Sequence, residues 1–159
     1  VTPETEISDV ARQMRDLDVG IIPVVESTDN PRLQGVITDR DIAIRAVAEG
    51  KDGSVKVGDC MTRDVRTVNK NDSVRDVMRV MKDEQVRRVP VVDREGRLVG
   101  IIAQADLAVD YAGDDSDREI EVSDTLERIS EPASPERGAG RMAAGGHDRN
   151  QFGEGFEVP

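Results

Sequence analysis

Apolar residues recur along this chain with two alternating periods. Ile7, Val10, Ala11, Met14 and Leu17 fall at i, i+3, i+4, i+7 and i+10, the stripe of one helix face. Val74, Val77, Met78 and Met81 repeat that stripe, with Asp72 as the expected N-cap. Ile21–Val25 and 89–92 are short β-branched runs bounded by turn or charged residues, the pattern of buried strands. A turn at 93–96 leads into Leu98–Ala103, and the longer stretch 26–32 takes the same place earlier in the chain. A second helix is predicted after each pair of strands, over 40–49 and 104–111.

The order helix, strand, strand, helix therefore occurs twice. Pro23 and Pro90 sit in "IIPVVE" and "RVPVVD", 67 positions apart. At that offset, residues 5–25 share nine identities with 72–92, among them Asp9/Asp76, Val10/Val77, Met14/Met81 and Val24/Val91. A two-residue insertion in the first copy then shortens the offset to 65, where Leu33/Leu98, Gly35/Gly100, Ile37/Ile102 and Asp41/Asp106 match. Register held through two segments marks an internal duplication.

Composition narrows the partners. Aromatic residues make up 2% of the 159, so the core is aliphatic, and the net charge of −11 disfavours nucleic acid and anionic membrane surfaces. Cys60 is the only cysteine and His147 the only histidine, which excludes an internal disulfide and a cysteine-based zinc site. No apolar run approaches the roughly 18 residues of a membrane span, and no signal-peptide pattern is present. A cytoplasmic protein is expected. The upstream stretch "VGDCMTRDVRTV" precedes the second copy, and Val68 at its end corresponds to Val1, so the first copy lacks a counterpart of 57–67. Acidic residues dominate 110–124, with Val122, Leu126 and Ile129 marking one short amphipathic helix. From Glu131 onward the Gly- and Pro-containing composition predicts disorder, with Phe152 and Phe156 as the alternative anchors of the tail on a partner or on a second subunit.

The residues 57–107, with "DCMT", "RTV" before the helix, "RRVPVVD" and "GIIAQAD", closely resemble a CBS domain. "ISDVARQMRDLDVGIIPVVE" with "LQGVITDRDI" resembles a second copy cut at its start. Together they look like a tandem CBS pair, or Bateman module. The expected fold class is α/β (α+β): two CBS repeats, each a small sheet with two helices, packed with pseudo-twofold symmetry. The expected layout is repeat one over 1–50 without its N-terminal strand, linker and repeat two over 51–112, an acidic segment with a short helix over 113–130, and a flexible tail over 131–159. The resemblance further implies two clefts between the copies that take AMP, ADP, ATP or S-adenosylmethionine, and a homodimer. No cofactor is required.

An adenosine phosphate needs an acceptor for its ribose diol, donors for its phosphate and an apolar slot for its base. By the resemblance, Thr38 and Asp41 in "GVITDRD" supply the hydrogen bond to the ligand and the ribose acceptor. Gly20 and Ile21 line the adenine slot. Arg87 or Arg88, which replace them in copy two, is expected to reach the phosphate of the same ligand. Asp106 marks a second, weaker cleft, because Ala103 replaces the hydroxyl of Thr38. The plainer alternatives are that Thr38 and Asp41 only cap a helix and that the arginines pair with Asp83 or Asp93. Cys60 reads as a small buried hydrophobe rather than a reactive thiol.

There is no nucleophile–base pair, phosphate loop, dinucleotide fingerprint or EF-hand order, so an enzyme is not expected. The leading reading is a regulatory ligand-sensing module that signals to an unknown protein partner. Its competitors are a structural or interaction module with empty clefts and a regulatory fragment of a larger enzyme or transporter.

Overall fold

A computed structural model describes residues 1–111 and 116–131. The expectations for the tail, with His147, Phe152 and Phe156, and for 112–115 lie outside the described residues.

The duplication is visible element by element. Copy one contributes α1 (Ile7–Leu17), β1 (Ile21–Val25), β2 (Leu33–Thr38) and α2 (Asp39–Ile42), followed by the short α3 (Val57–Cys60). Copy two contributes β3 (Val68–Asn69), α4 (Val74–Glu84), β4 (Arg88–Val92), β5 (Leu98–Ala103) and α5 (Gln104–Asp106), and α6 (Ser116–Ser130) ends the described chain. The second helix of each copy is not the plain α-helix the pattern predicted. α2 widens into a π-helical turn at Ala43–Val47 and α5 into another at Leu107–Tyr111. In the first of these the Ala48 N–H donates to the Ala43 carbonyl, five residues back.

β1 and β2 form an antiparallel two-stranded sheet, and β3, β4 and β5 form a three-stranded sheet in that order, with β3 parallel to β4. The two hairpins share one register: Ile21 faces Thr38 and Pro23 faces Val36 in the first, Arg88 faces Ala103 and Pro90 faces Ile101 in the second. Val1 takes the place in copy one that Val68 has in copy two. Its ammonium donates to the Pro23 carbonyl and its own carbonyl accepts the Val25 N–H at 2.9 Å, which brackets Val24 as a parallel strand would.

α1 and α4 end alike, on Asp18 and Gln85 in the left-handed conformation, but they start differently. α4 opens with a capping box in which Ser73, not the expected Asp72, is the N-cap: its hydroxyl accepts the Asp76 N–H and the Asp76 carboxylate accepts from Ser73. α1 has no side-chain cap, and its first N–H groups donate to the carbonyls of Val55 and Gly53.

Each copy has its own core. Ile7, Val10, Met14, Val24 and Ile37 pack with Val57, Cys60 and Met61; Val77, Met78, Met81 and Val89 pack with Leu107, Val122 and Ile129. The stretch read as the upstream element of copy two is thus shared. Its beginning closes the core of copy one and its end, Val68, enters the core of copy two. α6 does for copy two what α3 does for copy one, and at offset 65 "VSDTL" of 122–126 matches "VGDCM" of 57–61. α6 lies along α4, held by Arg75 to Glu121 and Lys82 to Asp124, and this accounts for one departure from the predicted stripe. Met78 is buried under α6, whereas its counterpart Ala11 and the nearby Leu17 are exposed on α1. Fully burying side chains of this size contributes about 1.5–3 kcal/mol each, so α6 is part of the fold rather than an appendage.

The copies meet at the turns of their hairpins. The Leu33 N–H donates to the Gly96 carbonyl at 3.0 Å, and the Leu98 N–H donates to the Pro31 carbonyl at 2.8 Å, on either side of an antiparallel bridge between Arg32 and Arg97. Each residue of the joint answers its own counterpart, which is the signature of a local twofold.

Candidate functional site

The junction of β2 and α2 assembles four of the predicted residues. The Asp41 carboxylate accepts from the Thr38 N–H at 3.0 Å and from the Thr38 hydroxyl at 2.7 Å through Oδ2, and the Asp41 N–H returns a bond to Thr38 Oγ1 at 3.0 Å. Ile21 is the strand partner of Thr38, and the Gly20 carbonyl accepts the Asp39 N–H. A Cβ on Gly20 would stand 3.0 Å from Asp39 Oδ2, so glycine lets the start of α2 come close to β1. The second oxygen of Asp41 is held more loosely. Oδ1 lies 3.4 Å from the Thr62 hydroxyl and 3.4 Å from Arg45 Nη1. Asp41, its side chain only 12% exposed, thus keeps one acceptor oxygen whose present partners are at the edge of hydrogen-bond range.

Those partners tie the site to the segment that crosses between the copies. Arg45 Nη1 also donates to the carbonyls of Cys60 and Met61, both at 2.8 Å, which closes the end of α3. Thr62 in turn pairs with Val36 in both directions, at 2.9 and 2.8 Å. Neither contact of Asp41 was read from the sequence, because Arg45 and Thr62 have no equivalent in the repeat to draw attention to them: the position matching Arg45 in copy two is Asp110.

The matching junction of copy two is simpler. Asp106 accepts the Ala103 N–H at 2.7 Å, but Ala103 has no oxygen with which to return the bond, and Asp106 is exposed. Arg88 pairs with Ala103 across β4 and β5, and the Arg87 carbonyl accepts the Gln104 N–H. Both arginines are exposed, and Asp93, one of their proposed partners, is held by Arg97 instead. The predicted residues therefore gather in two groups, one on each hairpin. No hydrogen bond or ion pair among the described residues joins Arg87 or Arg88 to Thr38 or Asp41.

A cavity of about 170 Å³ lies between the copies, with Leu33, Gly35, Arg63, Val65, Thr67 and Gly96 among its lining residues. None of the predicted site residues lines it. Cys60 is buried in the copy-one core, where burial pushes its thiol pKa up, the setting of an inert thiol. Among the described residues, no group of three or more His, Cys, Asp or Glu side chains is arranged to hold a metal ion, and no helix is long and apolar enough to cross a membrane.

Two small α/β repeats joined about a local twofold, each ending a strand on a carboxylate-bearing helix start, define a tandem-repeat module. A CBS-domain family model matches residues 1–47 and 57–112, which are the two copies, and the chain belongs to the CBS-domain family. The CBS domain-containing protein YhcV of Bacillus subtilis is 41% identical over 116 residues, 73% of this chain and 80% of that protein. Among solved structures, Hypoxic Response Protein I with two coordinated zinc ions matches with a TM-score of 0.61 at 37% identity, covering 68% of this chain and 86% of that one. The CBS domain protein PAE2072 from Pyrobaculum aerophilum, complexed with AMP, matches with a TM-score of 0.64 at 26% identity, covering 78% and 89%.

Proposed function

We propose that this chain is a regulatory module that binds an adenosine nucleotide or a related adenosyl compound at the β2–α2 junction of copy one and passes the signal to a partner protein. The observation that carries the reading is Asp41: Oδ2 is committed to capping α2, while Oδ1 faces Thr62 and Arg45 at 3.4 Å. A ribose hydroxyl approaching to ordinary hydrogen-bond distance displaces those two contacts at little cost. AMP in the related PAE2072 supports the ligand class. Ile21 and Gly20 line the base slot in this reading, and Arg87 or Arg88 meets phosphate. Asp106, without a hydroxyl at Ala103, makes the weaker site.

The output is a change in the arrangement of the copies, since a ligand shifts a conformational equilibrium only by binding one state more tightly. Homodimerisation belongs to the same reading and is supported by the exposed Leu17, Ile44 and Val47 on the helical side of copy one. So do a cytoplasmic location and the absence of catalysis. Thermal melting with AMP, ADP, ATP and S-adenosylmethionine tests the proposal. A true ligand at 100 times its Kd adds about 2.7 kcal/mol, and Asp41→Asn abolishes the shift while Asp106→Asn reduces it less. If none of the four compounds moves the melting temperature, the module with empty clefts takes its place.

A further inference from the structure

Arg45 stands where the candidate site meets the segment that crosses between the copies. It lies in the π-helical turn Ala43–Val47, one helical step after Asp41, and turns of this kind recur at functional positions. The protons of its Nη1 go to the Cys60 and Met61 carbonyls, both at 2.8 Å, and Asp41 Oδ1 faces the same nitrogen at 3.4 Å. The Arg45 carbonyl is held too, accepting from Lys51 Nζ at 3.1 Å and from the Cys60 thiol at 3.8 Å. Arg45 therefore closes the end of α3 with its charge. The chain leaves that helix at Met61 in an extended conformation and pairs Thr62 with Val36.

Copy two shows the alternative. At the offset of 65, Asp110 replaces Arg45, and Thr125 and Leu126 replace Cys60 and Met61. There the helix does not stop: α6 runs on to Ser130, whose hydroxyl donates to the Leu126 carbonyl. The arginine goes with the copy whose chain turns out of its helix and crosses. Its charge partner is the carboxylate of the candidate site. The other group facing Oδ1, the Thr62 hydroxyl, belongs to the crossing segment itself.

We infer that Arg45 is the positioning residue through which occupancy of Asp41 reaches the crossing segment. A diol that donates to Oδ1 displaces Arg45 and Thr62 together, and residues 61–67 loosen between α3 and Val68, where β3 of copy two begins. Ligand and closed segment compete for one oxygen, so each weakens the other by the same factor. The ligand's part in this rests on the function proposed above, whereas the tie from Asp41 through Arg45 to the segment is present in the ligand-free chain.

The test is amide hydrogen exchange of the full chain by NMR, read at Thr62 and Val36, with Val89 and Ile102 of copy two as references for an intact fold. Arg45 is half-exposed, and in Asp41→Asn the main-chain N–H still reaches Thr38, so both variants keep the fold. Without ligand, each speeds exchange at Thr62 about fivefold to tenfold, as for loss of one hydrogen bond, and leaves the copy-two amides unchanged. The double variant is no faster than Arg45→Met alone, because the carboxylate acts through the guanidinium; a residue that only packed against α3 would give additive effects. Saturating AMP, with binding read at the Thr38 amide, speeds Thr62 exchange in the parent chain to a similar extent and leaves it unchanged in Arg45→Met. Additive effects in the double variant, or parental exchange in Asp41→Asn, overturn the inference whether or not nucleotide binds. Slowed or unchanged exchange at Thr62 in the AMP-bound parent overturns it as well. Failure of AMP to bind, with the non-additive pattern intact, upholds the tie and overturns only the nucleotide reading.

Discussion

The Thr62 hydroxyl lies 3.4 Å from Asp41 Oδ1 while the Thr62 main chain pairs with Val36. One residue of the crossing segment thus touches both the candidate ligand site and the sheet of copy one. Replacing Thr62 with Val removes the hydroxyl contact and keeps the main-chain pair. The expected result is unchanged fold stability within about 1 kcal/mol, as for loss of one weak hydrogen bond, together with tighter binding of an adenosine ligand, because Oδ1 is released in advance. Isothermal titration of both proteins against AMP measures it, and weaker binding in Thr62→Val shows that the hydroxyl is a ligand contact instead.

Copy two lacks only the hydroxyl that completes its capping box. Ala103→Thr restores the acceptor for the Asp106 N–H, with the backbone at Ala103 already extended as an N-cap requires. A gain of about 0.5–2 kcal/mol is expected from denaturant melts, and the second cleft gains ligand affinity. A loss of stability would mean that α5 tolerates no side chain there.

The two equivalent glycines should respond in opposite ways. Gly35→Ala drives a methyl group into the Thr62 carbonyl, and overpacking of this kind costs about 1–3 kcal/mol. Gly100→Ala meets open space and should be neutral or slightly stabilising, because alanine restricts the unfolded chain. Equal effects at the two sites would contradict the difference in their surroundings.

Acid should unlock the turn at Asp93. Burial alone would raise its pKa, but hydrogen bonds from the Arg97 main chain and guanidinium and from the Glu95 N–H outweigh it and hold the carboxyl below the usual carboxylate range. Asp76 is likewise lowered, chiefly by the Ser73 hydroxyl. A carboxylate with a depressed folded pKa adds stability that is complete above its unfolded value, near 4, and is lost as pH falls through the folded one. Denaturation between about pH 4 and pH 2 should therefore be steeper in the parent chain than in Asp93→Asn, and identical slopes would remove Asp93 from the account.

Repetition made most of the fold legible. Two copies of one pattern fix each other's register, so both hairpins and both long helices stand where the alternation places them, and Thr38 with Asp41 meet because a strand feeding a helix brings positions three apart together. What stayed hidden depends on contacts between distant segments. Nothing local in residues 57–61 says that Val57 and Cys60 fill the core of the preceding copy. α6 is legible as a short amphipathic helix from Val122, Leu126 and Ile129, but neither its start at Ser116 nor the burial of Thr125 against copy two has a local signal. The N-cap of α4 moved from Asp72 to Ser73 because two neighbouring residues are both competent caps, and Asp76 three positions on completes a box with Ser73 only.

The reciprocal joint of Leu33 with Gly96 and Leu98 with Pro31 decides where such a duplicated chain is free to drift. A change at the joint breaks one side of a matched handshake and is felt by both copies at once. The tips where Thr38 and Ala103 stand lie five residues up their strands, outside that shared contact, so a change at one tip leaves the joint intact. Divided constraint of this kind leaves the two tips of a duplicated module free to differ while the joint keeps the copies in one arrangement.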